Sequence, residues 1–146
     1  MASLDEIREV RLKKLNKLRE INIDPYPAKV PRDLEVSQFK KDFSDLEKSE
    51  KEVSLAGRIM AIRGQGAILF VVIFDGTEKV QAIFKKDEIS EEVFNRFMET
   101  ADIGDFISVT GKAAKSKTGE ESIFVNNWVM AAKTILPLPE KWAGLT

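Results

Sequence analysis

From Glu52 onward the chain is cut into short apolar runs at close spacing: EVSLAGRIMAIR, AILFVVIFD, KVQAIFKK, DFISVTGKAAK and ESIFVNNWVMAAK. One stretch between the third and fourth runs, ISEEVFNRFMET, breaks the pattern and has helical texture. Runs this short, rich in Val, Ile and Phe, suit strands rather than buried helices. The order is therefore three strands, a helix and two strands. Turn residues fall where that order needs them, with Gly64-Gln65-Gly66 after the first strand, Asp75-Gly76 after the second and Thr118-Gly119 after the fourth.

Hairpin connections with one helical insertion describe the five-stranded Greek-key barrel of the OB-fold, although an SH3-like or other small barrel shares the strand count. Ahead of the barrel, residues 3–22 predict an amphipathic helix, with Leu4, Ile7, Val10, Leu15, Leu18 and Ile21 on one stripe and Pro25 closing it. Arg11 and Lys14 intrude on that stripe, while Arg8, Lys13, Lys17 and Arg19 lie around the wheel. Residues 25–50 carry three prolines and the charged run QFKKDFSDLEKSEKE, a connector with room for a short helical turn. The expected fold class is mainly β with flanking helices: a five-stranded OB-fold Greek-key barrel over 52–133, preceded by a long N-terminal amphipathic helix in 1–24 and a connector over 25–51 that packs on it.

A chain of 146 residues has room for one modest core, so a single domain is expected. It contains no cysteine and no histidine, which removes disulfides, thiolate zinc sites and the commonest general base. No apolar stretch reaches bilayer-spanning length, and the N-terminus MASLDEIREV has acids where a secretory signal is apolar, so a cytoplasmic location is expected. The formal net charge of −1 means that any nucleic-acid site must be a local patch.

OB-folds bind along strands 2 and 3 and in the loops joining strands 1–2 and 4–5. In strand 3, Val80, Ala82 and Phe84 alternate with Lys79, Gln81, Ile83 and Lys85, which predicts an exposed Gln81 between cationic neighbours. Strand 2 is apolar on both faces, so Phe70 is either a core ring or an outward platform on which a base can stack. Arg63 ends the first strand beside a glycine-flanked turn, where a guanidinium reaches a phosphate or a base carbonyl. In the loop KSKTGEE, Lys115 and Lys117 suit phosphates, and Glu120 can accept the N3–H of uracil, which cytosine lacks. No glycine-rich phosphate loop, paired carboxylates or activated nucleophile emerges, so no catalytic residue, no metal ligand and no cofactor are expected in this chain.

The segments RLKKLNKLREINIDPYP, VSLAGRIMAIRGQG, FDGTEKVQAIFKKD, IGDFISVTGKAAKSKTGEESI and PLPEKWAGLT together resemble the N-terminal anticodon-binding domain of bacterial-type class II lysyl-tRNA synthetases, over essentially the whole chain. The closing PLPEKW string is the most specific of them. The resemblance implies that Phe70 stacks on the middle anticodon uridine, that Gln81 and Arg63 hold its edge, and that Glu120 reads anticodon uridines, with Lys85, Lys115 and Lys117 on the backbone. The Phe-Gln-Arg clamp is shared with aspartyl and asparaginyl relatives, whereas the tail and the KTGE loop favour lysine. The chain departs from the family at Ala67, where a lysine is usual, and at Val72 and Phe74, where polar residues are usual. The resemblance further implies a partner, the anticodon stem-loop of lysine tRNA. It implies a longer parent that forms homodimers, mainly through a catalytic domain joined by a linker at 134–146, and that attaches lysine to tRNA with ATP and Mg²⁺. By itself the residue pattern also suits a free-standing barrel that binds single strands without sequence preference, or a protein-interaction module built on the helix and strand 2.

Overall fold

Strand order and strand length together close this barrel. The computed structural model describes residues 3–27 and 29–136, so the PLPEKWAGLT string and most of the expected linker lie outside the described residues. Five strands follow the expected order: β1 (Glu52–Gln65), β2 (Ile68–Phe74), β3 (Lys79–Lys85), β4 (Phe106–Lys115) and β5 (Glu121–Ala132). They form a closed ring in the order β1-β2-β3-β5-β4. β1 is long enough to serve two partners: its first half pairs with β4 from Glu52 to Arg58, and its second half pairs with β2 as far as Gln65. A register shift between Ile59 and Ala61 bends it between the two, as a bulge does at a barrel corner. All pairings are antiparallel except β3 with β5, which is parallel and only three residue pairs long. The barrel expected from the spacing of apolar runs is thus present, with a closing seam that the spacing does not announce.

Alternation sorts the faces. Leu69, Val71 and Ile73 of β2, Val80, Ala82 and Phe84 of β3, and Ile123, Val125 and Trp128 of β5 are buried inside. The helix α4 (Glu91–Thr100) starts at Ser90, whose hydroxyl accepts from Val93 N at 3.2 Å, and drives Phe94 and Phe97 into the barrel. Phe97 lies between Phe84 and Trp128, with ring centroids at 4.5 and 5.3 Å, and the Trp128 indole donates to Val93 O. Gly111 sits at a register shift of β4, where a Cβ would stand 1.9 Å from the carbonyl oxygen of Phe124. Only glycine lets β4 and β5 approach so closely there.

The connector holds two short helices rather than one turn, α2 (Val36–Lys41) and α3 (Phe43–Ser49). Val36, Phe39 and Phe43 are buried, at the i, i+3, i+7 spacing of a packing face, and the two rings meet edge-on at 5.7 Å. Asp75, in the β2–β3 turn, accepts from Val36 N and so ties the start of α2 to the barrel.

The N-terminal helix α1 (Leu4–Glu20) is capped by Ser3, with Asp5 and Glu6 in its first turn and Lys17 and Arg19 in its last, so its charges complement the helix dipole. Its expected apolar stripe is only half used. Leu15 and Leu18 are buried, but Leu4 and Val10 are 63% and 52% exposed, and Ile21 is exposed as well. The two cations that interrupt the stripe turn inward with it, one to an acid of the α4–β4 loop and one to neutral oxygens beyond β5. Lys14 meets Asp102 at 2.6 Å, and the buried Arg11 donates to Thr134 Oγ1 and Leu136 O.

These contacts belong to one network. The fully buried Lys133 ammonium lies 2.7 Å from both Asp102 and Asp105, and Asp105 accepts from the Thr134 backbone and hydroxyl. Two lysines face two aspartates and balance each other, while the buried Arg11 guanidinium has only the neutral oxygens of Thr134 and Leu136. Burial by itself raises the Asp102 carboxyl, but hydrogen bonds from Lys133 and Lys14 and their charges outweigh it and hold the group below its ordinary value of 3.8. A lowered folded value stabilises the fold above the ordinary carboxyl range, and that stabilisation is lost as pH falls through the folded value. Asp102→Asn should cost about 3 kcal/mol at neutral pH. In urea titrations the gap between parent and variant should stay constant down to about pH 5 and close below about pH 4; a gap independent of pH would refute the assignment.

Candidate nucleic-acid interface

The pleat of β2 decides the first functional side chain. With Leu69 and Val71 inside, Phe70 must point out, and it lies half-buried on the outer face. Cross-strand register then fixes its neighbours: Arg63 pairs with Phe70 on one side, Ile83 pairs with it on the other, and Phe124 follows Ile83 across the parallel seam. Arg63 is exposed, and β1 runs two residues beyond it to Gln65. Next to it Gly64 has φ +105°, and a Cβ there would stand 2.5 Å from Ile68 O, so the tight hairpin depends on this glycine.

Gln81 corrects an expectation. It is 5% exposed, not displayed, because the seam brings β5 against it and Ser122 covers its amide. Gln81 Nε2 donates to Ser122 Oγ at 3.1 Å, and Ser122 Oγ donates to Glu120 O at 3.0 Å. This short relay aims the amide from the cleft floor and links it to the β4–β5 loop. The loop is closed by Ser116, whose N–H donates to Glu120 O, whose carbonyl accepts from Gly119 N, and whose hydroxyl accepts from Glu120 N. Gly119 takes φ +88° at the turn.

Together these elements line a cleft of about 630 Å³. Arg63, Phe70, Gln81, Lys85, Lys117 and Glu120 all border it. Lys115 does not; it is exposed at the end of β4 and stands outside the cleft. Three cations and one carboxylate give the site a local positive balance that the whole chain, at −1, lacks. Lys85 Nζ lies 5.1 Å from the Phe124 ring centroid and 3.9 Å from Glu88. Phe124 was not among the residues singled out from the sequence, although its place between the inward Ile123 and Val125 carried the signal. Of the three departures, Ala67 is exposed at the β1–β2 turn, Val72 is outward and pairs with Gln81, and Phe74 lies apart from the cleft, in a groove with Arg58 and Phe106. Among the described residues no group of three potential acidic, His or Cys ligands could hold a metal, and no helix is long and apolar enough to cross a membrane.

An outward ring, a buried amide, an exposed guanidinium and a loop carboxylate on the strand 2–3 face of a closed five-stranded barrel fit a nucleic-acid-binding OB-fold domain. Residues 53–131 match the tRNA anticodon model of OB-fold nucleic acid binding domains, and the chain belongs to that family. Along 97% of its length the chain is 38% identical to a lysine–tRNA ligase of Thermotoga maritima. It is similarly 40% identical to one of Carboxydothermus hydrogenoformans over 98%, and 41% identical to one of Clostridium perfringens over 97%. It spans only 29%, 29% and 28% of the lengths of these relatives.

The relay generates a prediction of its own. Ser122→Ala leaves the buried Gln81 amide without its acceptor and should lower stability by about 1–3 kcal/mol. Thermal unfolding measures this, and an unchanged midpoint would mean that the Gln81 amide is satisfied elsewhere.

Proposed function

We propose that this chain is the anticodon-reading module of a lysine–tRNA ligase and that its cleft holds the UUU anticodon of lysine tRNA. The observation that carries the reading is the convergence in one cleft of Arg63 from β1, Phe70 from β2, Gln81 from β3 and Glu120 from the β4–β5 loop. Phe70 offers its face to the middle uridine. The Gln81 amide and the Arg63 guanidinium take up the polar edge of that base, whose donors and acceptors differ from those of cytosine. Glu120 accepts from a uracil N3–H and repels the unprotonated ring nitrogen of cytosine at the same place. Lys85 and Lys117 neutralise phosphates along the strand, and Lys115, standing outside the cleft, contributes a weaker long-range attraction.

In this reading the chain selects the tRNA and supplies no catalytic group; a ligase of the relatives' length would attach lysine with ATP and Mg²⁺ through residues beyond this chain. The test is a titration of this chain with anticodon stem-loops carrying UUU, UCU and AAA at two salt concentrations. A preference for UUU that survives while overall affinity falls with salt is expected. Equal weak binding to all three would leave a barrel that takes single strands without selection. Phe70→Ala should weaken binding to the UUU loop by about 1–3 kcal/mol through lost stacking, with unchanged affinity removing the role given to that ring. Glu120→Gln should narrow the ratio of UUU to UCU affinity, and an unmoved ratio would return Glu120 to an ordinary loop residue.

A further inference from the structure

The cleft contains a second aromatic face that the function proposed above does not use. Phe124 points outward from β5 between the buried Ile123 and Val125, is half-buried, and lines the same cleft as Phe70. Register places the two rings two strands apart on one row, Phe70 opposite Ile83 and Ile83 opposite Phe124. At the usual interstrand spacing of about 4.8 Å, their backbones are about 10 Å apart. Adjacent bases in a stacked strand are separated by about 3.4 Å. Two bases seated on these two rings therefore cannot be stacked on each other, and the strand must enter with its bases splayed.

The ring is guarded in the free chain. Lys85 holds its ammonium 5.1 Å from the Phe124 centroid while also leaning toward Glu88 at 3.9 Å, an ion pair too exposed and too long to anchor it. A cation on an aromatic face is readily exchanged for a base, and a displaced Lys85 remains beside the cleft, where a phosphate needs a counter-charge.

We propose that Phe124 is a second base platform, taking a nucleotide neighbouring the one on Phe70 in the same single strand, with Lys85 moving from the ring to the backbone as that base enters. The inference rests on the reading of the cleft as an anticodon site and adds a base-binding residue to it. Its consequence is that the cleft recognises an opened strand of at least two bases, not one base in isolation.

Four UUU stem-loops test it: the intact loop and loops abasic at the first, middle or third anticodon position, each titrated against the parent chain, Phe70→Leu and Phe124→Leu. Leucine keeps the apolar bulk of an outer-face residue and removes only the flat ring. Phe124→Leu should weaken the intact loop about fivefold or more. That loss should vanish with the loop abasic at one flanking position and persist with the middle position abasic, whereas the loss in Phe70→Leu should vanish with the middle position abasic. Phe124→Trp should bind at least as tightly as the parent, and its added indole fluorescence should be quenched by the intact loop but not by that flanking abasic loop. If Phe124→Leu binds every loop as the parent does while Phe70→Leu is impaired, the second platform is refuted and the anticodon reading stands. If the parent itself shows no preference for UUU, the anticodon reading fails and the second platform with it.

Discussion

The three-pair parallel seam between β3 and β5 is the contact on which the rest depends. Without it the five strands are an open sheet whose two edges expose unpaired backbone. With it the ring is complete, the inner faces enclose one core, and the outer faces of β2, β3 and β5 become neighbours. The seam also makes the candidate cleft: it covers Gln81 with Ser122, links both to the loop that carries Glu120, and sets Phe124 two strands from Phe70. So short a ladder persists because its surroundings hold it. Phe84, Phe97 and Trp128 pack beneath it, and Gly111 lets β4 draw close to β5 from the far side.

A second constraint operates at the other end of β5. The Lys133–Asp105–Asp102–Lys14 network joins the exit of the last strand to the α4–β4 loop and to α1, and Arg11 adds a link through Thr134. Hydrophobic burial uses only part of the α1 stripe: Leu15 and Leu18 are buried, while Leu4 and Val10, nearer the start of the helix, are exposed. Buried charges demand partners, so the helix lies where Lys14 meets Asp102 of the loop and Arg11 meets the oxygens of Thr134 and Leu136. The site and this clamp sit at opposite ends of a twelve-residue strand, which leaves the cleft free of the packing demands that orient the helix.

Legibility tracked the range of the interaction. The strands and α4 were readable because alternation and turn residues are local; each expected run lies within a residue or two of its element. In the connector the charged residues of QFKKDFSDLEKSEKE obscured an i, i+3, i+7 face made by Val36, Phe39 and Phe43, and two helices were compressed into one turn. The candidate site was legible where residue chemistry is distinctive: Arg63, Phe70, Gln81, Lys85, Lys117 and Glu120 meet, while Lys115, exposed at the end of β4, stands outside the cleft. Phe124 lies outside strands 2 and 3, and its place beside Phe70 exists only once the parallel seam seats β5 against β3.

By itself the sequence determined which segments form strands and helices, where they turn, and which residue types were available to grip a base, because those properties depend on neighbours a few positions away. It left open which face of β2 is buried, since both faces are apolar, and it misplaced Gln81 in solvent. Tertiary structure decided both. Closing the ring assigns one face of every strand to the core at once, so Leu69, Val71 and Ile73 went in and Phe70 came out. The same closure set β5 against β3 and turned an outward glutamine into a buried, aimed amide. Neither outcome has a local cause: the first needs the whole ring closed, and the second needs Ser122, 41 residues from Gln81 in the chain.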